Sequence, residues 1–391
     1  MNVIFYRYGN ICEPDIIANL SASGLTVIEE TAEIHDKKLP PSKRIQLVDN
    51  LLQKHKPLFV FSINFYPGIA ELCHIRKVLY LCWSVDCPVM ELFAKPLQYP
   101  TNRVFLFDRA QYERFHPYNP DSIFYLPLAA ATKRFDKVVA SITEQDRSRY
   151  SADISFVGSL YSERNPLHKL NTLPEYVIGY IDGIVEASLK IYGCNFMEEA
   201  LSSDFIADFK KAVPDFYSCS NPLADTDSYI LAHKYLGYHV AETERIRTLN
   251  TLAEYFTVDL YTGSDTRVLN AVRTHGTIDS LSEMPKVFHL SKINLNMTIK
   301  PIQTGLPLRI FDIMGCGGFL MTNFQAELTD FFEIGVDLEA YSSMEELIEK
   351  CDFYLKHPDV REKIALQGYQ TVTQFHTYPQ RIAEMLRMAI S

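Results

Sequence analysis

Short runs that are apolar at nearly every position recur along the first third of the chain: residues 2–8 (NVIFYRY), 25–30 (LTVIEE), 58–64 (LFVFSIN), 77–84 (KVLYLCWS), 103–107 (RVFLF) and 122–128 (SIFYLPL). Helix-length segments separate them. Glu13 to Ser21 is one, and Pro40-Pro41-Ser42 opens another that runs to about His55. Strands without polar alternation are buried on both faces, and with helices between them they predict a parallel sheet covered on each side. The fold class is therefore α/β, with a doubly wound first domain.

Between residues 129 and 152 the pattern turns polar and charged, which reads as a domain connection. A second series starts at 153–159 (DISFVGS) and is then interrupted by a helix-rich stretch over about 163–255. Strand-like runs resume at 257–263, 293–298, 317–323 and 337–343. Residues 344–375 read as helix broken near His357-Pro358, and 379–390 as a closing amphipathic helix. The expected organisation is an N-terminal Rossmann-like domain (1–135), a second one (136–378) carrying the helical insertion, and a terminal helix (379–391). Doubly wound sheets bind ligands at the carboxyl ends of their strands. Two such domains predict a cleft with one substrate on each side.

Composition narrows the class. With 391 residues, 47% of them hydrophobic and 22% charged, the chain has enough apolar side chain to fold and is not expected to be disordered. A net charge of −10 argues against a nucleic-acid partner, which calls for a basic face. No apolar run has the length of a membrane span, and MNVIFYRYGN lacks the features of a signal peptide. The eight cysteines form no CxxC pair and no zinc spacing, so buried free thiols in a reducing cytoplasm are expected.

The strongest chemical signal is residues 304–323, TGLPLRIFDIMGCGGFLMTN. The turn Thr304-Gly305-Leu306-Pro307 leads into a helix from about Leu308 to Met314, whose start offers free backbone N–H groups to a phosphate. Arg309 adds a charged fork in the first turn. Asp312 follows one turn later, where it suits a ribose hydroxyl. A loop–helix–strand unit with an Arg–Asp surface pair explains the same residues. Gly315, Gly317 and Gly318 are read as close-packing positions. In FVGSLYSERNP (156–166), Gly158 and Ser159 end a buried strand and Arg164 follows; a plain strand-to-helix turn is the alternative. Tyr261 and the turn at Gly263-Ser264, in DLYTGSDT, are candidates for holding a base by stacking and backbone hydrogen bonds; a simple β-turn is the alternative. Asn294 and Asn296 share one face of a strand, and one of them is a candidate to face the cleft. In the first domain Gly9, Asn10, Asn64, Trp83 and Asp86 fall at one sheet rim, with Asp86 the candidate general base. A turn cap is the structural alternative for Asp86, and core burial for Trp83. Asp225-Thr226-Asp227 resembles a metal-binding tripeptide but lies in a polar loop, so no metal is expected. His233 and His239 show no acidic partner at ligand spacing. The Walker-type, GxSxG and HExxH patterns do not occur.

Taken together, YRYGNICEPD, FSINFYP, CWSVDCPV, LFDRAQYERF, ISFVGSLYSERNP and GLPLRIFDIMGCGGFLMTNFQAEL resemble the bacterial CgeB-like glycosyltransferases, over nearly the whole chain. The resemblance implies a GT-B fold, in which two Rossmann-like domains flank a cleft and the second binds a nucleotide sugar. It also implies that the last helix crosses back to the first domain. By position, Asp312 stands where related transferases often have a Glu that holds the ribose, and Thr304 where a second Glu is commoner. Arg309 takes the place of the donor-phosphate residue, with Gly158-Ser159 as the opposing loop. The implied co-substrate is a UDP-sugar, UDP-GlcNAc or UDP-Glc, with no cofactor and no metal. The implied acceptor is a protein such as flagellin or a spore or surface protein, or a surface glycan. A nucleotide-sugar epimerase of the same fold and a non-catalytic nucleotide-sugar binding protein are the alternatives. A periplasmic solute-binding protein is disfavoured.

Overall fold

A computed structural model describes residues 1–170, 173–219 and 222–390. Among them no helix is long and apolar enough to cross a membrane. The chain divides into two compact units.

The first unit comprises residues 1–129, 219, 222–226 and 376–390. Its sheet holds β1 (Asn2–Tyr6), β2 (Thr26–Glu30), β3 (Phe59–Ile63), β4 (Leu79–Trp83), β5 (Asn102–Leu106) and β6 (Ile123–Tyr125), ordered β2-β1-β3-β4-β5-β6. All its pairings are parallel. Val3, Ile4, Phe5, Val60, Phe61, Leu81 and Phe105 are fully buried, because helices cover both faces of these uninterrupted apolar strands. The last helix, Tyr378–Ile390, packs on the helix Glu13–Ala22. Arg381 Nε donates to the carbonyl of Pro127 at 3.2 Å, and Arg103 Nε to that of Ala389 at 3.2 Å.

The second unit comprises residues 130–170, 173–218 and 227–375. Its sheet holds β7 (Ile154–Val157), β8 (Val258–Tyr261), β9 (Arg273–Thr274), β10 (Ile293–Asn296), β11 (Leu320–Asn323) and β12 (Glu339–Tyr341), ordered β12-β11-β10-β7-β8-β9 and again all parallel. Ile154, Leu260, Leu295 and Met321 from the strands pack with Leu249 and Leu252 of the helix Gly237–Tyr255 and with Leu347 and Cys351 of the helix Met344–Lys356. All eight cysteines are free, and six of them are buried.

The polar stretch 129–152 is not a bare connection. It forms two helices, Thr132–Ala140 and Glu144–Tyr150, and the first unit's opening stretch ends at Ala129. Thr143 and Asp146 make a reciprocal capping box at the start of the second helix, and Lys286 Nζ pairs with Asp146 at 2.9 Å. Lys286 foremost, then the Thr143 backbone and hydroxyl, holds the Asp146 carboxyl at about 2, below its ordinary value. A depressed folded value contributes stability above the unfolded value of about 4 and loses it as pH falls towards about 2. Urea titrations of Lys286→Met against the native chain should therefore differ at pH 6 and converge towards pH 2.

Gly318, between the helix Leu308–Gly315 and β11, explains one close approach. A Cβ there would lie 2.4 Å from the carbonyl oxygen of Phe288 and 2.7 Å from Asn294 Nδ2. Gly318→Ala is expected to cost about 1–3 kcal/mol through overpacking, read as a lower urea midpoint at unchanged slope.

Candidate active site

In the first unit the strand order reverses between β1 and β3, so the carboxyl ends of these two strands flank the switch point. The chain leaving β1 turns at Gly9, whose φ of +91° favours glycine. Behind the turn, the buried carboxylate of Glu13 accepts from the backbone N–H groups of Tyr8 and Gly9, both at 2.8 Å, and pairs with Arg7 Nε at 2.9 Å. Asn10 Nδ2 donates to the Tyr8 hydroxyl at 2.8 Å. Asn64, at the end of β3, donates from Nδ2 to the same hydroxyl at 3.1 Å and to Asp86 Oδ2 at 2.6 Å. Its Oδ1 accepts from the Val85 N–H at 3.1 Å, which fixes the loop after β4. Burial first, then the charge of Asp86, pushes the Tyr8 phenol well above its ordinary value, so the hydroxyl stays neutral. Asp86 itself is exposed. The result is an oriented carboxylate open to a ligand, the arrangement a general base requires.

Gly9, Asn10, Asn64 and Asp86 are thus brought together, and Tyr8, which the sequence reading passed over, is their common partner. Trp83 is corrected. It is 1% exposed, donates from Nε1 to the Leu126 carbonyl at 3.3 Å and meets the Tyr378 ring edge-on at 6.0 Å. It is a core residue rather than a rim residue.

In the second unit the order reverses between β7 and β10. One side chain closes that switch point. Arg245 donates from one terminal nitrogen to the Ser159 carbonyl after β7 at 2.5 Å, and from the other to the Met297 carbonyl after β10 at 2.7 Å. Its guanidinium lies over the rings of Phe156 and Tyr161, at 5.1 and 4.6 Å. Nε is buried without a hydrogen-bond partner. Burial foremost lowers the pKa of Arg245 below its ordinary value, with Tyr161 and Glu244 opposing that shift and the like charge of Arg309 adding to it.

Arg309 lies in the first turn of the helix Leu308–Gly315, over the Phe288 ring at 5.1 Å and 3.5 Å from Asp312 Oδ2. Asp312 is buried at 4% exposure. The helix start is not sealed: Pro307, Leu308 and Arg309 are all part-exposed, while Gly305 and Leu306 are buried behind them. Thr304 donates from its hydroxyl to Glu327 Oε1 at 2.6 Å. A buried carboxylate therefore meets the position where the sequence pattern shows a threonine.

After β7, Gly158 N–H donates to the Tyr261 carbonyl at 3.0 Å. The Ser159 hydroxyl donates to Glu163 at 2.5 Å and accepts from the Tyr161 N–H at 2.7 Å. Burial opposes ionisation of Glu163, but hydrogen bonds from Ser159 and Ser264 hold its carboxyl below the ordinary value. Arg164 is exposed, with its guanidinium 5.5 Å from the centre of the Tyr161 ring. Asn296 is buried and donates to the hydroxyls of Thr298 and Thr322 at 3.0 and 2.9 Å, while Asn294 bonds Ser155 and the Phe288 carbonyl. Both strand asparagines are thus tied into the sheet. Gly263 packs against Thr277. Tyr261 is corrected as a stacking platform: it is 4% exposed, its ring is stacked on His275 at 4.7 Å, and burial pushes its phenol up to about 12.

Arg245 had a signal in the sequence. Ala241, Arg245, Thr248, Leu249 and Leu252 recur at helical spacing and are all buried, so the arginine is a charge placed on an apolar stripe.

Two units, each a parallel six-stranded sheet with flanking helices and a ligand edge at its switch point, have the GT-B architecture. Residues 245–387 match a family model described as glycosyl transferase-like. Solved structures similar to the whole chain include HepE from Anabaena in complex with UDP and glucose, at 11% identity and a TM-score of 0.55, covering 99% of each chain. A glycosyltransferase from Rickettsia africae matches at 10% identity and a TM-score of 0.54, covering 99% of this chain and 97% of that one. Sucrose-phosphate synthase from Thermosynechococcus elongatus matches at 10% identity and a TM-score of 0.53, covering 100% and 99%. No curated protein sequence matches the chain significantly.

Proposed function

We propose that this chain is a glycosyltransferase that moves a hexosyl or N-acetylhexosaminyl group from a UDP-sugar to a protein or surface-glycan hydroxyl, in the manner of the CgeB-like enzymes it resembles. The observation that carries the reading is the part-exposed start of the helix Leu308–Gly315 with Arg309 in its first turn, and Arg245 laid across the ends of β7 and β10. A helix start and arginine side chains at the carboxyl edge of a parallel sheet favour an anion, and a diphosphate supplies two negative groups. The glycosyl transferase-like match over residues 245–387 and the UDP and glucose in the HepE complex support the same reading.

The second unit takes the donor. Arg309, Arg245 and the backbone N–H groups of Leu308 and Arg309 offset the charge that grows on the departing diphosphate, so no metal ion is required for that task. Asp312 and Glu327 are the carboxylates proposed to hold ribose or sugar hydroxyls. In the first unit Asp86, oriented by Asn64, takes the proton of the acceptor hydroxyl as it attacks the anomeric carbon. Gly9 and Asn10 shape the rim that the acceptor meets. A cytoplasmic site of action fits a nucleotide-sugar donor.

Thermal-shift titration with UDP-glucose and UDP-N-acetylglucosamine, followed by a UDP-release assay with and without acceptor preparations, tests the reading. A ligand that binds the folded chain raises its melting temperature. Acceptor-dependent UDP release is expected. A sugar epimerised without UDP release would instead make the chain an epimerase, and binding without turnover a binding protein.

A further inference from the structure

The helix Pro358–Phe375 borders a groove in the second unit. The groove's other wall includes Lys292 and Gly317, which enter β10 and β11, so it lies at the amino ends of those strands, away from the edge proposed to take the donor. Two cavities share it. One, of about 590 Å³, is lined by Val139, Ala140, Ala365 and Leu366, and falls in the range of roughly 300–1,000 Å³ typical of small-molecule sites. The other, of about 190 Å³, is lined by Lys292 and Arg361. They meet at Gly317, which has no side chain to divide them. Residues 361, 362, 365, 366 and 369 recur on one face of the helix, which fixes the order of chemistry along it. Arg361 is the fourth residue of the helix, Ala365 and Leu366 follow one turn on, and Tyr369 lies about 12 Å from Arg361 along the axis.

The group that decides the ligand is at the polar end. The Arg361 side chain is 9% exposed, yet its one hydrogen bond runs from Nη1 to the Tyr354 carbonyl, at 2.7 Å. Nη2 is 3.8 Å from Glu362 Oε1, beyond hydrogen-bond reach, and the Glu362 side chain is 75% exposed, so water screens that contact. Among the described residues Nε makes no hydrogen bond. Burial foremost lowers the pKa of Arg361, with Glu362 and Asp153 opposing that shift. The neighbouring cation, Lys292, is already paired with Asp153 at 2.7 Å. His289 donates from Nδ1 to the Cys316 carbonyl at 2.9 Å. Asp136 lies at the far, apolar end and accepts from the Tyr369 hydroxyl at 2.8 Å. A buried guanidinium with donors to spare, in the opening turn of an 18-residue helix, favours an anion at that end of the groove.

We propose that this groove binds a small amphipathic anion, with a carboxylate or phosphate head on Arg361 and an apolar body of medium-chain length lying along Ala365 and Leu366 towards Val139 and Ala140. The charges set the orientation: the head meets the arginine, and the body keeps it away from Asp136. The inference does not depend on the donor reading, because these groups stand at the other end of the strands.

Calorimetric titration of decanoate, decyl phosphate, decanol and inorganic phosphate into the full chain tests this. Decanoate or decyl phosphate should bind saturably at one site. Decanol and inorganic phosphate each lack one half of the ligand and should bind at least about tenfold more weakly. The tighter of the two amphiphiles identifies the head as carboxylate or phosphate. Leu366 is exposed, so Leu366→Glu should fold with an unchanged melting temperature, and its carboxylate in the groove should abolish binding of both. Arg361→Met should weaken both about tenfold and leave decanol unchanged. Where Arg361→Met does not fold, Leu366→Glu decides alone. Saturable binding of neither amphiphile, binding that survives in Leu366→Glu, or decanol binding as tightly as decanoate overturns the inference. None of these outcomes bears on UDP, so the donor reading stands or falls separately.

Discussion

Replacing Asp86 by Asn should lower turnover by about 10²- to 10⁴-fold and leave UDP affinity unchanged, because the amide keeps the shape but cannot take a proton. The carboxylate is held by one short contact, Asn64 Nδ2 at 2.6 Å, and is otherwise exposed. An Asn side chain can retain that contact through its own oxygen, so the loop after β4 should keep its path. Turnover and UDP affinity therefore separate the roles. A residue that merely caps the turn would show a lowered melting temperature and near-normal kcat in the folded fraction. A proton acceptor shows the reverse. Asn64→Ala should act in the same direction and more weakly, with loss of loop order as well, since Asn64 also holds the Val85 N–H.

Arg309→Ala should weaken UDP binding by about ten- to a hundredfold, the equivalent of one charge-assisted hydrogen bond to phosphate. The variant is the better probe of the donor edge than any change at Arg245. Arg245 holds the Ser159 and Met297 carbonyls, so its loss would disturb the loops after β7 and β10 at once. Arg309 is part-exposed and lies in the first turn of its helix, where alanine is well tolerated. Its partner Asp312 is buried, and removing the cation leaves that carboxylate with less compensation. Some loss of stability is therefore expected beside the loss of affinity. Affinity for UDP equal to that of the native chain, in a folded variant, would remove Arg309 from the donor site.

Much of the scaffold was legible because doubly wound sheets write themselves as uninterrupted apolar runs. Eleven of the twelve strands coincide with such runs. β9, Arg273–Thr274, does not, because two exposed residues at a sheet edge need no apolar side chain. The helix Thr132–Ala140 was read as a connection for a related reason. It buries only Thr132 and Phe135, so its charged face dominates the pattern. Residues at the sheet edges were legible where a glycine or a polar residue ends a strand, as at Gly9, Asn64 and Asp86. They were not where the role depends on a partner distant in sequence. Tyr8 matters because two asparagine amides from different loops converge on its hydroxyl. Arg245 matters because its helix lays it across two strand ends, and charges on helices ordinarily read as solvated faces. Trp83 failed in the opposite sense: a large ring at a strand end was read as a rim residue, and packing with Tyr378 made it core.

The most direct check is a calorimetric titration of UDP into the native chain at low ionic strength, repeated at higher salt. Saturable binding at one site, weakening as salt rises because arginine–phosphate attraction is screened, is the expected result. Absence of any saturable heat or melting-point shift with UDP at millimolar concentration would contradict a diphosphate site at the β7–β10 switch point.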